Sequence, residues 1–279
     1  MRAGAQLLLM AADPVKRRIL QEMIEHPLDA GPGHEYRVTS SGREALFVGF
    51  AVERWLQSAP HGPLPFESRE AEQAVATLAE GWSTTVMHAL AREPLSFDEL
   101  HALVEGLGRS PLERRLVAMQ EAGQIVEHAG ADGPIYAITD WLRAGIAPLI
   151  ASARLERRHP MEGMTPIDAL DVDAGFRCSL SLVELPRQLS GACRLGLNLE
   201  DDESGRLTGV IARIEQGRVV SCEAGIDGSA DAWAAGSAGD WLDTVIKPDV
   251  NLVRTGGDRW LAAALVAGLH KTLFGIPVT

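Results

Sequence analysis

Apolar residues recur at helical spacing through most of the first 160 positions and alternate with polar ones through much of residues 165–279. Leu112, Leu116 and Met119 fall on one face of a helix, with Ser110 as its N-cap, Pro111 at its first position and Gly123 at its end. Gln124 to His128 then alternates as a short strand. Ala129 to Gly133 reads as a turn, and Pro134 to Thr139 as the returning strand. Trp141 to Arg158 reads as one long helix carried through Pro148, because Leu142, Ile146, Leu149, Ile150 and Leu155 keep phase. Upstream, Glu70 to Ala91 has apolar positions for one or two helices around Gly81-Trp82. Ser96 and Glu99 are spaced as a capping box that opens a further helix.

Two phrases in this stretch occur twice. Asp13-Pro-Val-Lys-Arg-Arg-Ile-Leu returns as Ser110-Pro-Leu-Glu-Arg-Arg-Leu-Val, 97 residues on. Tyr36-Arg-Val-Thr returns as Tyr136-Ala-Ile-Thr, 100 residues on. Two phrases in the same order and almost the same register mark a duplicated unit. The first copy has its wing loop at Asp29 to His34 and its long helix at Ser41 to Gln57. Only 12 residues precede Asp13, so this copy lacks at least the opening helix; it is either a degenerate half or one whose start lies before Met1. Pro60 to Pro65 reads as the linker between copies.

From residue 165 the grammar changes. Leu180 to Leu185 is apolar and ends at Pro186. Gly191–Leu199, Leu207–Glu215 and Arg218–Gly225 alternate as an antiparallel meander, with turns at Glu200–Gly205 and Gln216-Gly217. A strand over Asp231–Ala235, a helix over Ser237–Ile246, a strand over Val250–Arg254 and a closing helix over Asp258–Phe274 follow. Strands first and helices afterwards predict an α+β layer.

Three helices with a β-hairpin behind the third form the winged-helix order. Residues 67–159 resemble the HxlR/MarR-like winged helix-turn-helix regulators. The resemblance is carried by Gly81-Trp82, by Leu90 with Pro94-Leu-Ser-Phe-Asp-Glu-Leu100, by Leu112-x-x-x-Leu116-x-x-Met119-x-x-x-Gly123, and by Tyr136-Ala-Ile-Thr139. It implies a double-stranded DNA partner, homodimerisation through the long helices, and a recognition helix starting near Ser110. The chain departs from the family at Glu113, where a Ser or Thr facing DNA is common. In residues 165–279, Ala230-Asp-Ala-Trp-Ala-Ala-Gly236 and Gly256-Gly-Asp-Arg-Trp-Leu261 resemble the two signatures of the sterol-carrier-protein-like fold, which implies a sheet covered by helices around an apolar ligand site. The expected organisation is α+β: a shortened winged-helix module over 1–60, a complete one over 67–159, and a sterol-carrier-like domain over 165–279.

Charge sharpens this picture. The chain carries a net −12, which argues against unspecific nucleic-acid binding by the whole surface. Residues 1–160 hold 16 Lys and Arg against 21 Asp and Glu, and residues 161–279 hold 10 against 17, so any basic surface is local. The candidate DNA contacts are Arg109, Ser110, Arg114 and Arg115 in the second copy and Lys16, Arg17 and Arg18 in the first. Arginine grips phosphate or reads guanine edges from the start of a recognition helix. The bland alternative is a solvated arginine face, with Arg115 paired to Glu113 or Glu121. The wing tip Gly130 to Gly133 carries Asp132 and no cation, which counts against a minor-groove contact.

Candidate ligand-site residues are Trp233, Trp241, Val245, Trp260, Leu261, Leu265 and Leu269, each of which also fits an ordinary core. Gly236 to Asp240 opens a helix and reads as a turn with a cap rather than an anion site. No catalytic or metal-binding set is expected. The three cysteines are widely spaced, the eight histidines make no ligand pair on one helix face, and neither a Gly-x-Ser-x-Gly elbow nor a phosphate loop occurs. No cofactor is expected, and no membrane partner. Leu7 to Ala12 is too short for a signal core, so the reading is cytoplasmic. The functional expectation is a transcriptional regulator controlled by an apolar small molecule. The alternative is a carrier or sequestering protein for a hydrophobic metabolite that keeps its winged helices for dimerisation.

Overall fold

The computed structural model describes residues 5–18, 39–131, 133–159, 167–198 and 207–275. The first-copy wing loop and strand, Asp132 at the second wing tip, and the acidic hairpin tip at Glu200 to Gly205 lie outside these. The chain is α+β and divides into two compact units, Met1–Pro166 and Ile167–Thr279. Both copies of the repeat fall within the first unit.

In the first unit a helix not expected from the sequence, α1 (Ala5–Ala12), precedes the first repeated phrase. Residues 14–18 are helical behind an N-cap at Asp13, whose carboxylate accepts from the N–H groups of Val15 and Lys16. Helix α2 (Ser40–Gln57) follows, then α3 (Arg69–Ser83) and α4 (Val86–Leu90). Strand β1 (Leu95–Ser96) leads directly into α5 (Phe97–Leu103). The capping box forms as read: Ser96 Oγ accepts from the Glu99 N–H, and the Glu99 carboxylate accepts from the Ser96 N–H at 2.8 Å.

Helix α6 (Arg109–Glu121) begins two residues earlier than the sequence suggested. Its N-cap is Gly108, without a side-chain cap, and Pro111 sits at the third helical position. Proline is still tolerated there because an N–H in the first turn has no intrahelical acceptor. The helix closes at Gly123, which has a φ of 73°. The Gly123 N–H donates to Gln120 O and the Gln124 N–H to Met119 O, the paired bonds of a left-handed glycine cap.

Strands β2 (Ile125–Gly130) and β3 (Gly133–Ile138) form the hairpin, longer than read because Ala129, Gly130 and Gly133 join the ladder. β1 adds to β3, with Leu95 opposite Tyr136, giving the order β1-β3-β2. A two-residue strand with no alternation of its own is invisible to a pattern search; it exists because β3 offers it a free edge.

The long helix read over Trp141–Arg158 is two helices, α7 (Asp140–Ala144) and α8 (Ile146–Arg158), broken at Gly145. Pro148 is the reason. It has no N–H for the Ala144 carbonyl and its ring crowds that oxygen, so the helix restarts with Pro148 inside its first turn. The equivalent helices of the two copies begin alike. Thr39 Oγ1 accepts from the Gly42 N–H at 3.1 Å, and Thr139 Oγ1 from the Leu142 N–H at 3.2 Å.

The second unit opens with a helix that the sequence did not reveal, α9 (Ala169–Ser179), capped by a reciprocal Asp168–Asp171 box. Strands β4 (Gly191–Asn198), β5 (Leu207–Glu215) and β6 (Arg218–Ala224) form the expected meander. β7 (Ala232–Gly236) then crosses to lie parallel to β4, and β8 (Arg254–Gly257) pairs with β7, for the order β6-β5-β4-β7-β8. The strand read at Val250–Arg254 is thus shifted, since Val250–Leu252 form a 3-10 turn. Helices α10 (Ala238–Ile246) and α11 (Arg259–Phe274) complete the unit. Cys193, Leu195 and Leu197 share a sheet face with Ala232, Ala234 and Gly236, and all six are buried. α11 covers this face, with Leu261 against Gly191. Among the described residues no helix is long and apolar enough to cross a membrane.

Candidate functional site

Leu112, Leu116 and Met119 are buried, which fixes the rotation of α6. The opposite face presents Arg109, Ser110, Glu113 and Arg114 to solvent, with Val117 half exposed. Arg109 lies 4.7 Å above the Phe97 ring and donates to Asp98 at 2.8 Å, so α5 holds the first cation of the helix in place. Arg114 is exposed and makes no ion pair among the described residues. Arg115 turns inward. Its side chain is 19% exposed and pairs with Glu80 on α3, and burial draws its pKa down. The partner is a residue of α3, three helices earlier, rather than Glu113 or Glu121 on α6 itself. Burial, with the Glu127 and Glu113 carboxylates adding, pushes the Tyr136 hydroxyl pKa up, so Glu113 acts on the hairpin as well as on the open face.

In the first copy, Lys16 and Arg18 are exposed, with Lys16 3.8 Å from Asp13. Arg17 is a correction to the sequence reading. It is 1% exposed, donates to the carbonyls of Phe66 and Ser68, and lies 3.7 Å from Glu72, so it braces the segment entering α3 rather than facing a partner. Three consecutive cations cannot share one helical face, and nothing in Lys-Arg-Arg says which one turns inward. The end of the stretch read as a linker, Pro63–Pro65, lines a groove of about 550 Å³ together with Glu53, Gln57, Phe66 and Glu67.

The expected ligand-site residues divide three ways. Trp241, Val245, Leu261, Leu265 and Leu269 are buried together on the helix-covered side of the sheet. Trp241 donates from Nε1 to Gly196 O at 2.8 Å and meets Phe176 of α9 edge-on at 4.8 Å. Phe176 was missed because no pattern had placed α9. Trp233 lies on the other face, since Ala232 and Ala234 on either side of it point to the helices. Its indole rests on Gly256, where a Cβ would come within 2.4 Å of Nε1. Trp260 is the second correction: at 84% exposure it lines nothing. Asp258 caps α11 through the N–H groups of Trp260 and Leu261, and that start turns position 260 outward.

On α10 and α11 the buried polar residues are Thr244 and His270. Thr244 Oγ1 is buried and without a hydrogen-bond partner among the described residues. His270 is buried, and its Nδ1 donates to Val245 O at 3.0 Å. Burial lowers the His270 pKa more than that bond restores it. The neutral form is therefore favoured in the fold, and the unfolded chain takes up the proton first as pH falls below about 6.5. Stability contributed by neutral His270 is whole above that value and is lost as pH falls toward the lowered pKa. Denaturant midpoints measured between pH 7.5 and 5 are expected to drop, and His270→Gln to flatten that part of the slope.

Cys193 is buried and its thiol is pushed up to about 12, first by burial and then by Asp258, so it remains an inert core thiol. Gly236–Asp240 forms a Ser237–Asp240 capping box, which occupies the Ser237 and Asp240 N–H groups and sets a carboxylate at the helix start. Among the described residues no cluster of three metal-ligating side chains occurs. Comparison with protein families, curated proteins and solved structures returned no match to this chain.

Proposed function

We propose that this chain is a DNA-binding regulator of winged-helix type whose second unit, sterol-carrier-like in plan, takes an apolar small molecule. The observation that carries the reading is α6. It is a helix packed on α3, preceded by a capped helix and followed by an antiparallel hairpin, with Arg109, Ser110 and Arg114 exposed in its first two turns. That end of such a helix approaches base edges and phosphates. The ligand part is supported by an apolar layer between sheet and helices and by the Thr244 hydroxyl, one polar anchor for an apolar guest.

The test is fluorescence anisotropy on fragments of the source genome at stepped salt concentrations. Saturable binding with a steep negative salt slope is expected. Arg114→Ala should weaken it several-fold and reduce the slope by about 1. Absence of binding at low salt on every fragment refutes the reading. The alternative, a carrier that does not bind DNA, draws on Glu113 beside Arg114, the inward turn of Arg115 and the net charge of −12.

A further inference from the structure

The two long helices were expected to join two chains, but here they join two halves of one. α2 and α8 pack along each other. They run antiparallel, because Trp55 at the end of α2 meets Trp141 ahead of α8, whereas Glu44 near the start of α2 meets Arg154 and Arg158 near the end of α8. The buried positions of α2 are Val48, Gly49, Ala51, Val52, Trp55 and Leu56. Moved by the 100-residue offset of the repeat they become Pro148, Leu149, Ala151, Ser152, Leu155 and Glu156, all buried on α8. Equivalent faces of equivalent helices therefore meet antiparallel, as two subunits do across a two-fold axis. The two helices are also tied at one end by Trp55 and Trp141, which are not equivalent positions of the repeat: each indole N–H donates to the other residue's carbonyl, at 2.8 and 2.9 Å.

We propose that this chain is a built-in dimer: the α2–α8 pairing replaces a homodimer interface, and one chain alone engages a two-part, non-palindromic DNA site. The asymmetry follows from the repeat. Lys16 stands where the second copy has Glu113, buried Arg17 where it has exposed Arg114, and exposed Arg18 where it has Arg115, which is paired to Glu80. Two halves that expose different charges do not read identical half-sites. The DNA part rests on the regulator reading above; the pairing within one chain does not.

The experiment is sedimentation velocity on the full chain over a wide concentration range, without DNA and then with a duplex that it binds. A particle of the single-chain mass, 30.0 kDa, and one chain per duplex are expected. Glu44→Arg should lower the thermal midpoint, and adding Arg158→Glu should restore at least half of the loss, with the mass unchanged throughout. A particle of twice that mass, splitting on Glu44→Arg, would place the pairing between chains and overturn the proposal, as would two chains per duplex. If no duplex binds, the regulator reading fails, while the free-chain mass still decides the pairing.

Discussion

Replacing Trp141 with alanine is expected to destabilise the first unit by about 3–5 kcal/mol, the range for removing a large buried aromatic. The side chain is 6% exposed and its ring stacks on Trp55 with centroids 4.6 Å apart and planes 11° from parallel. Such a stack adds about 0.5–1.5 kcal/mol to the area buried. The truncation also removes the Trp141 N–H from the Trp55 carbonyl, which keeps the Ser58 N–H and hydroxyl as donors, so the lost bond itself adds about 0.5–1.5 kcal/mol. Trp141→Phe keeps most of the stack and loses the donor, so it should fall between wild type and Trp141→Ala. Urea unfolding followed by circular dichroism checks both. A loss below about 1 kcal/mol for Trp141→Ala would mean that the two helices are not held together here.

Gly209→Ala is expected to be as damaging in the second unit. Gly209 lies in β5 opposite Gly196 with a φ of 148°, a conformation that side-chain-bearing residues rarely adopt. A Cβ built there would stand 2.0 Å from the Leu195 carbonyl oxygen, which is backbone of the neighbouring strand and cannot swing aside. Backbone strain and overpacking together cost roughly 3 kcal/mol or more. The paired residue provides the contrast: a Cβ on Gly196 would meet Ala235 Cβ at 3.3 Å, a tight contact that small shifts relieve. Gly196→Ala should cost about 1 kcal/mol. Equal losses for the two variants, measured by thermal unfolding, would contradict the geometry.

Part of the candidate site was legible in the residues and part was not. Leu112, Leu116 and Met119 set the buried face of α6, and with it the outward direction of Arg109 and Arg114. The inward turns of Arg17 and Arg115 depend on Phe66, Ser68 and Glu80, which lie tens of residues away along the chain. Trp233, Trp241 and Trp260 look equivalent in composition. Strand parity puts the first on the outer sheet face, a helix covers the second, and a cap turns the third into solvent.

The sequence by itself determined the local grammar: the Ser96–Glu99 capping box, the glycine that ends α6, the hairpin behind it, the alternation of β4 to β6, and the duplication. These follow from bonds and periodicities spanning a few residues. Only the tertiary structure decided that β1 adds to β3, that β7 crosses to run parallel to β4, which arginines are spent inside the fold, and that the equivalent helices of the repeat meet within one chain. Those outcomes depend on which distant surface lies opposite, and a repeat states that two surfaces are alike without stating which surface each will meet.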